Sequence, residues 1–188
     1  MPSILLSGPA VEPITLAEAK AYLRVEHDDD DLVIAAFIAA ARIHVETQTR
    51  RALITQTWRF VRDAWPADGR LSISPSPLQQ IVAARVYESD GSSLSIDTQA
   101  FVADKASAPA IVVFAPWSLP VPGRTIGGIE IDVNAGYGDA GTHVPEPLRQ
   151  AIRILVAHWY ENRGLAGAAP MLPLTVSALI APYQVLAL

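Results

Sequence analysis

"AGYGDAG", residues 135–141, separates two possible folds. Its glycines, Gly136, Gly138 and Gly141, spell G-x-G-x-x-G behind "GIEIDVN" (128–134), whose alternation reads as a strand. A dinucleotide-binding turn needs a helix that opens at the glycines, and a second parallel strand with an acid about 20 residues on. Neither is present. The following helical stretch, "PEPLRQAIRILVAHWYENRG" (145–164), begins several residues beyond Gly141, and Glu161 and Asn162 lie inside it. The glycines therefore read as a bend from sheet to helix, through backbone angles open only to glycine.

Working outward from that bend, the downstream helix has Pro145 and Pro147 in its first turn, where N–H groups lack partners anyway. Leu148, Ile152, Leu155, Val156 and Trp159 mark its buried face, and Gly164 suits its end. Upstream, "LITQTWRFVRDAWP", "RLSIS", "IVAARVYESDGSSLSI", "AFVADK" and "AIVVFAP" are short, β-branched or aromatic, and punctuated by turn residues. They predict an antiparallel β module, with "ESDGSS" as a hairpin turn. In the last strand Ile129, Ile131 and Val133 share one face, with Glu130 and Asp132 on the other.

Two helices precede the β module. Thr15 and Glu18 form a capping box ahead of a short helix over about 16–25, with Leu16, Ala19, Tyr22 and Leu23 on one face. The run Asp28–Asp31 then opens a helix of about 20 residues. Four adjacent carboxylates point in different directions, unlike the alternating ligands of a calcium loop, so the run reads as an N-cap with first-turn acids. Leu32, Ala36, Ala39 or Ala40, and Ile43 form one stripe of this helix. Val33, Phe37, Ala40 and His44 form another, and together they predict a broad buried face. Phe37, Ile43, Leu155 and Trp159 are expected in one shared core. His44 reads as a packed histidine.

The fold class is thus α+β: a small helical core of three main helices, an antiparallel β insertion, and an extended apolar C-terminal tail. The expected segments are 1–52 (N-terminal helices of the core), 53–140 (β module), 141–164 (core helix) and 165–188 (tail), within one structural domain. The tail, "LAGAAPMLPLTVSALIAPYQVLAL", is broken by Pro170, Pro173 and Pro182, so it is expected to reach away from the core.

The 188 residues are 51% hydrophobic and 18% charged, with a net charge of −5 and no cysteine. Disulfide and thiolate chemistry are excluded, and neither a signal peptide nor a bilayer span is expected. Lys20 and Lys105 are the only lysines, which disfavours a broad grip on nucleic acid. There is no G-x-S-x-G elbow, and His158 with Glu161 does not complete H-E-x-x-H. No catalytic, cofactor or metal residue is assigned. A metal-dependent hydrolase using Asp28–Asp31 or the His158 region, and a stand-alone binding module, remain the alternatives.

Three blocks in order carry a resemblance: "ARIHVETQTRRALITQTW" (41–58), "AGYGDAGTHVPEPLRQAIRILVAHWYENRG" (135–164) and "LPLTVSALIAPYQ" (172–184). Together they resemble the head–tail connector, or adaptor, proteins of long-tailed phages and gene transfer agents. Two positions depart from that family's pattern. Thr49-Arg50-Arg51 stands where Thr-Gly-Arg is usual, and Pro182-Tyr183-Gln184 where Pro-Tyr-Arg is usual.

The resemblance implies a non-catalytic neck protein without a cofactor, assembled in the bacterial host cytoplasm and resident in the virion or particle neck. Its partners would be further copies in a ring of twelve, the portal protein, and a stopper or tail-completion protein. DNA would pass through the ring without specific binding, and no membrane is involved. Portal docking is expected from the tail, through Leu172, Leu174, Val176, Leu179, Ile180, Pro182 and Tyr183. Subunit contacts are expected from Arg50, Arg51, Arg149 and Arg153, because arginine forks suit interface carboxylates.

Overall fold

The strand ahead of the glycine bend, β8 (Ile129–Ala135), is the centre of the larger of two sheets. The computed structural model describes residues 3–163 and 173–185. The chain divides into two units, one of residues 1–9 and 55–137, the other of residues 10–54 and 138–188.

In the first unit the strands are β1 (Ser3–Ser7), β2 (Gln56–Arg62), β3 (Arg70–Ile73), β4 (Leu78–Tyr87), β5 (Ser93–Ile96), β6 (Val102–Asp104), β7 (Ala110–Val113) and β8. The order β1-β2-β8-β4-β5 makes one sheet and β3-β7-β6 a second, and every pairing is antiparallel. "ESDGSS" forms the β4–β5 turn as the sequence predicts. Alternation supplies the core: Phe60, Ala84, Val86, Ile129, Ile131 and Val133 of the large sheet share one cluster with Leu71, Ile73, Ala110 and Val112 of the small one. Trp65, Phe101 and Phe114 pack beside them, with ring centroids 5.1–6.0 Å apart.

The opposite face of β8 carries Glu130 and Asp132, but Asp132 is not solvated. It is buried under a fork from Arg59 (Nε to Oδ1 2.7 Å, Nη2 to Oδ2 2.9 Å) and a bond from Arg85 (2.8 Å). Above all the hydrogen bonds from Arg59 hold its carboxyl below the usual carboxylate range. The network spans β2, β8 and β4. It fixes their register, because a one-residue slip would turn the charges into the apolar core.

The second unit contains α1 (Leu16–Leu23), α2 (Asp31–Thr49), α3 (Glu146–Glu161) and α4 (Leu174–Ile180). The capping box is formed at α1: Thr15 Oγ1 accepts from the Glu18 N–H at 3.1 Å, and Glu18 accepts from the Thr15 N–H at 2.7 Å. α3 starts at Glu146 with Pro145 at its N-cap and buries Leu148, Ala151, Ile152, Leu155 and Val156. Gly164 lies outside the described residues.

α2 corrects the sequence reading. Its buried residues are Ile34, Ile38, Ala41, Val45 and Thr49. The expected stripe faces outward instead, with Leu32 88% and Ile43 55% exposed. Ile43 is therefore not a core residue. Phe37 and Trp159 are half-buried and meet each other with centroids 6.3 Å apart, and His44 lies edge-on to Trp159. The reason for the misreading is physical. From Leu32 to Ala41 every face of this helix is apolar or small, so periodicity there cannot say which one its own subunit uses.

At the end of α2, Arg50 adopts the left-handed conformation (φ 55°, ψ 36°) that a glycine would suit. The departure from Thr-Gly-Arg thus changes the side chain and keeps the turn. The glycine bend serves as the sequence implies. A Cβ on Gly138 would stand 2.2 Å from His143 Nδ1, and one on Gly141 2.5 Å from the Pro13 carbonyl oxygen. The chain needs glycine there to turn tightly, with no phosphate in the account.

Candidate docking surfaces

The acidic run is the place to begin, because its charges decide whether it can hold a metal. Asp30 occupies the N-cap of α2 but makes no side-chain capping bond. It accepts a hydrogen bond from the Tyr160 hydroxyl, and Arg163 pairs with it at 2.9 Å. Lys20 reaches both Asp28 and Asp31 at 2.6 Å. The run therefore fastens α1 and α3 to the start of α2, a job that capping alone did not suggest. Hydrogen bonds and charge from Lys20 lower the Asp28 pKa, and the bonds from Tyr160 and Arg163 lower that of Asp30. Among the described residues, no group of three or more His, Cys, Asp or Glu side chains gathers in a way that could hold a metal ion. Of the hydrolase alternative's carboxylates, Asp28, Asp30 and Asp31 are thus bonded to Lys20, Tyr160 and Arg163 of the same chain, and Asp29 is exposed.

The four arginines assigned to subunit contacts divide in the same manner. Arg149 pairs with Glu18 at 2.5 Å and Glu146 at 2.8 Å, and its Nε donates to the Pro13 carbonyl. Arg153 pairs with Glu146 and reaches Glu18 at 3.6 Å. These bonds hold the Glu146 pKa down, the one from Arg153 most strongly. For Glu18 the main cause of the lowering is the Thr15 backbone N–H, with Arg149 adding to it. Arg51 Nε donates to the Tyr183 carbonyl at 2.7 Å. Arg149, Arg153 and Arg51 are therefore clamps inside the helical unit. Arg50, at the exposed end of α2, keeps a side chain open to a partner.

The described part of the tail also departs from expectation. Instead of reaching away, residues 173–185 fold back. α4 packs on α3 and α2, and Val176, Ile180 and Val185 are buried. The Val185 N–H donates to the Thr49 carbonyl at 3.0 Å. Proline breaks the chain into a short helix and a turn, but that leaves pieces short enough to lie across the core. Leu174 (77% exposed) and Pro182 remain on the surface, Leu179 and Tyr183 are half-buried, and Leu172 lies outside the described residues.

Surface apolar residues then mark what is left to bind a partner. Besides the outward face of α2 and Leu174, the loop after β7 carries Trp117 (89% exposed), with Val121 and Ile126 at 81%. Exposed apolar side chains brought close in sequence are candidates for an interaction site. Sequence reasoning passed over this loop because its prolines and glycines read only as punctuation. Among the described residues, no helix is long and apolar enough to cross a membrane.

Residues 13–103 match the family model of the phage gp6-like head-tail connector protein. The neck of an empty gene transfer agent particle, computed with C6 symmetry, contains a chain that superposes with a TM-score of 0.86 at 24% identity. The match covers 100% of this chain and 97% of that one. The virion of a native gene transfer agent particle gives 0.83 at 25% identity, again with 100% and 97% covered. The neck of a native particle computed with C12 symmetry gives 0.76 at 28% identity, with 98% and 97% covered. No curated protein sequence matches the chain.

Proposed function

We propose that this protein, which carries a phage gp6-like head–tail connector domain and has the fold of gene transfer agent neck chains, closes a ring of twelve copies beneath a capsid portal. The observation that carries the reading is the near-complete overlap with chains from two gene transfer agent necks and one virion, over 97% or more of both partners. A structural role also suits a chain whose arginines and carboxylates bind one another rather than converge on a cleft.

In this reading the ring continues the DNA channel. A net charge of −5 lets DNA pass without being held, since each phosphate contact would add salt-dependent affinity. The tail meets the portal through Leu174, Pro182 and the accessible edges of Leu179 and Tyr183, with Leu172 beside them in sequence. Val176 and Ile180 have a different part: they anchor the tail to its own helices. The Trp117 loop offers the attachment surface for a stopper or tail-completion protein. Assembly takes place in the host cytoplasm, before the neck is complete.

Electron microscopy of the purified chain, alone and mixed with portal protein, tests the reading. Closed rings seated on the portal are expected, and a Leu174→Glu, Pro182→Glu variant should form rings that no longer seat. A chain that stays monomeric in the presence of portal contradicts the connector role.

A further inference from the structure

Between Asp31 and Arg42, α2 contains no charged residue, only "LVIAAFIAAA". A helix that is apolar all round is a helix buried all round. Here only part of the circumference is accounted for. Ile34, Ile38, Ala41 and Val45 enter the core of the helical unit. On the opposite side Leu32, Ala36, Ala40 and Ile43 face solvent, Leu32 almost completely.

We infer that this outward face of α2 is the surface through which one copy of the chain packs on the next copy in the ring. The inference rests on the ring reading above and names the contact that closes it. Cyclic rings are built from heterologous contacts, in which one patch meets a different patch on the neighbour. Such a design leaves each free subunit with an uncovered apolar face, as seen here. Ala36 and Ala40 have side chains small enough for a neighbouring backbone to approach closely. From Leu32 to Ile43 the stripe rises about 16 Å, the extent of an interface centre rather than a whole interface. Polar groups close its ends: exposed Asp29 lies before it, and exposed Thr47 and Arg50 after it. An apolar centre with a polar rim is the usual anatomy of a protein contact. Arg50, exposed on the same side as Leu32, adds a charged group to that rim, whereas Arg51, Arg149 and Arg153 are bonded within their own chain.

The test uses the full chain with Leu32→Glu and Ile43→Glu combined, and separately Ile43→Arg, followed by native mass spectrometry and microscopy with and without portal protein. Both positions are exposed, so the variants should melt like the unmodified chain. The ring population is expected to fall at least tenfold for either sign of inserted charge. Variants that close rings as readily as the unmodified chain overturn the assignment and leave the ring reading standing. Rings that form but no longer cap the portal also overturn it, and give this face to the portal instead. An unmodified chain that closes no ring, alone or on the portal, overturns both.

Discussion

α2 and α3 are neighbours in one helical unit, yet they present opposite kinds of surface. α3 is sharply two-sided: Leu148, Ile152, Leu155 and Val156 are buried, and Glu146, Arg149, Gln150 and Arg153 make a bonded polar face. α2 has an apolar face in its own core and a second one left open. The difference teaches where a subunit ends. A helix that satisfies its polar face within the chain is finished when the chain folds. A helix with apolar residues all round is finished only by another molecule.

The largest expected effect comes from removing the segment that covers α3. Truncation after Arg163 deletes Val176, Ile180 and Val185, each buried. At about 1.5–3 kcal/mol for each fully buried aliphatic side chain, the loss should exceed that of any single substitution. Chemical denaturation of the truncated chain measures it, and a melting curve equal to that of the full chain would return the tail to an outward, free-standing role. Next in size is Leu155→Ala, which removes a fully buried side chain of α3 and should cost about 2–5 kcal/mol. An effect below about 1 kcal/mol would break the contrast, because α3 would then not be the finished helix.

A smaller effect follows from acid. Glu18, Asp28, Asp30 and Glu146 all have folded-state pKa values below their ordinary ones, owing chiefly to the Thr15 N–H, Lys20, Tyr160 and Arg153 respectively. A lowered carboxylate contributes stability that is present above its unfolded pKa, near 4, and is lost as pH falls through the folded value. Melting temperature should therefore hold from neutrality to about pH 5 and drop below about pH 4. Glu146→Gln should flatten part of that drop, and an unchanged slope would show that the clamps on α3 contribute nothing. The smallest effect belongs to the open face. Leu32→Ala and Ile43→Ala should each change the stability of the free chain by no more than about 0.5 kcal/mol, measured by denaturant melts. A loss as large as that of Leu155→Ala would make the two faces of α2 equivalent and end the comparison.

What could be read from the sequence follows the same division. The Thr15–Glu18 capping box, the alternation of β8, the "ESDGSS" turn and the glycine bend are local patterns, and each appears in the structure as read. The core face of α3 was legible because charges mark its other side. From Leu32 to Ala41 α2 has no such mark, so its pattern points Leu32 and Ile43 inward as readily as outward. Other features depend on partners far away in the chain. Arg149 meets Pro13 and Arg51 meets Tyr183, at separations of 136 and 132 residues. Alternation puts Asp132 on the face away from the core, and only Arg59 and Arg85, from two other strands, account for its burial there. β1 was missed because "SILLS" is short, lacks alternation, and gains its strand character only by pairing with β2.

Side-chain footprinting of the free chain and of the assembled neck, read residue by residue by mass spectrometry, shows whether the open face of α2 is covered by another molecule. Leu32 and Ile43 are expected to become at least fivefold protected on assembly, while the buried residues of α3 stay unlabelled in both states. Equal labelling of Leu32 and Ile43 in the free and assembled forms would contradict this expectation.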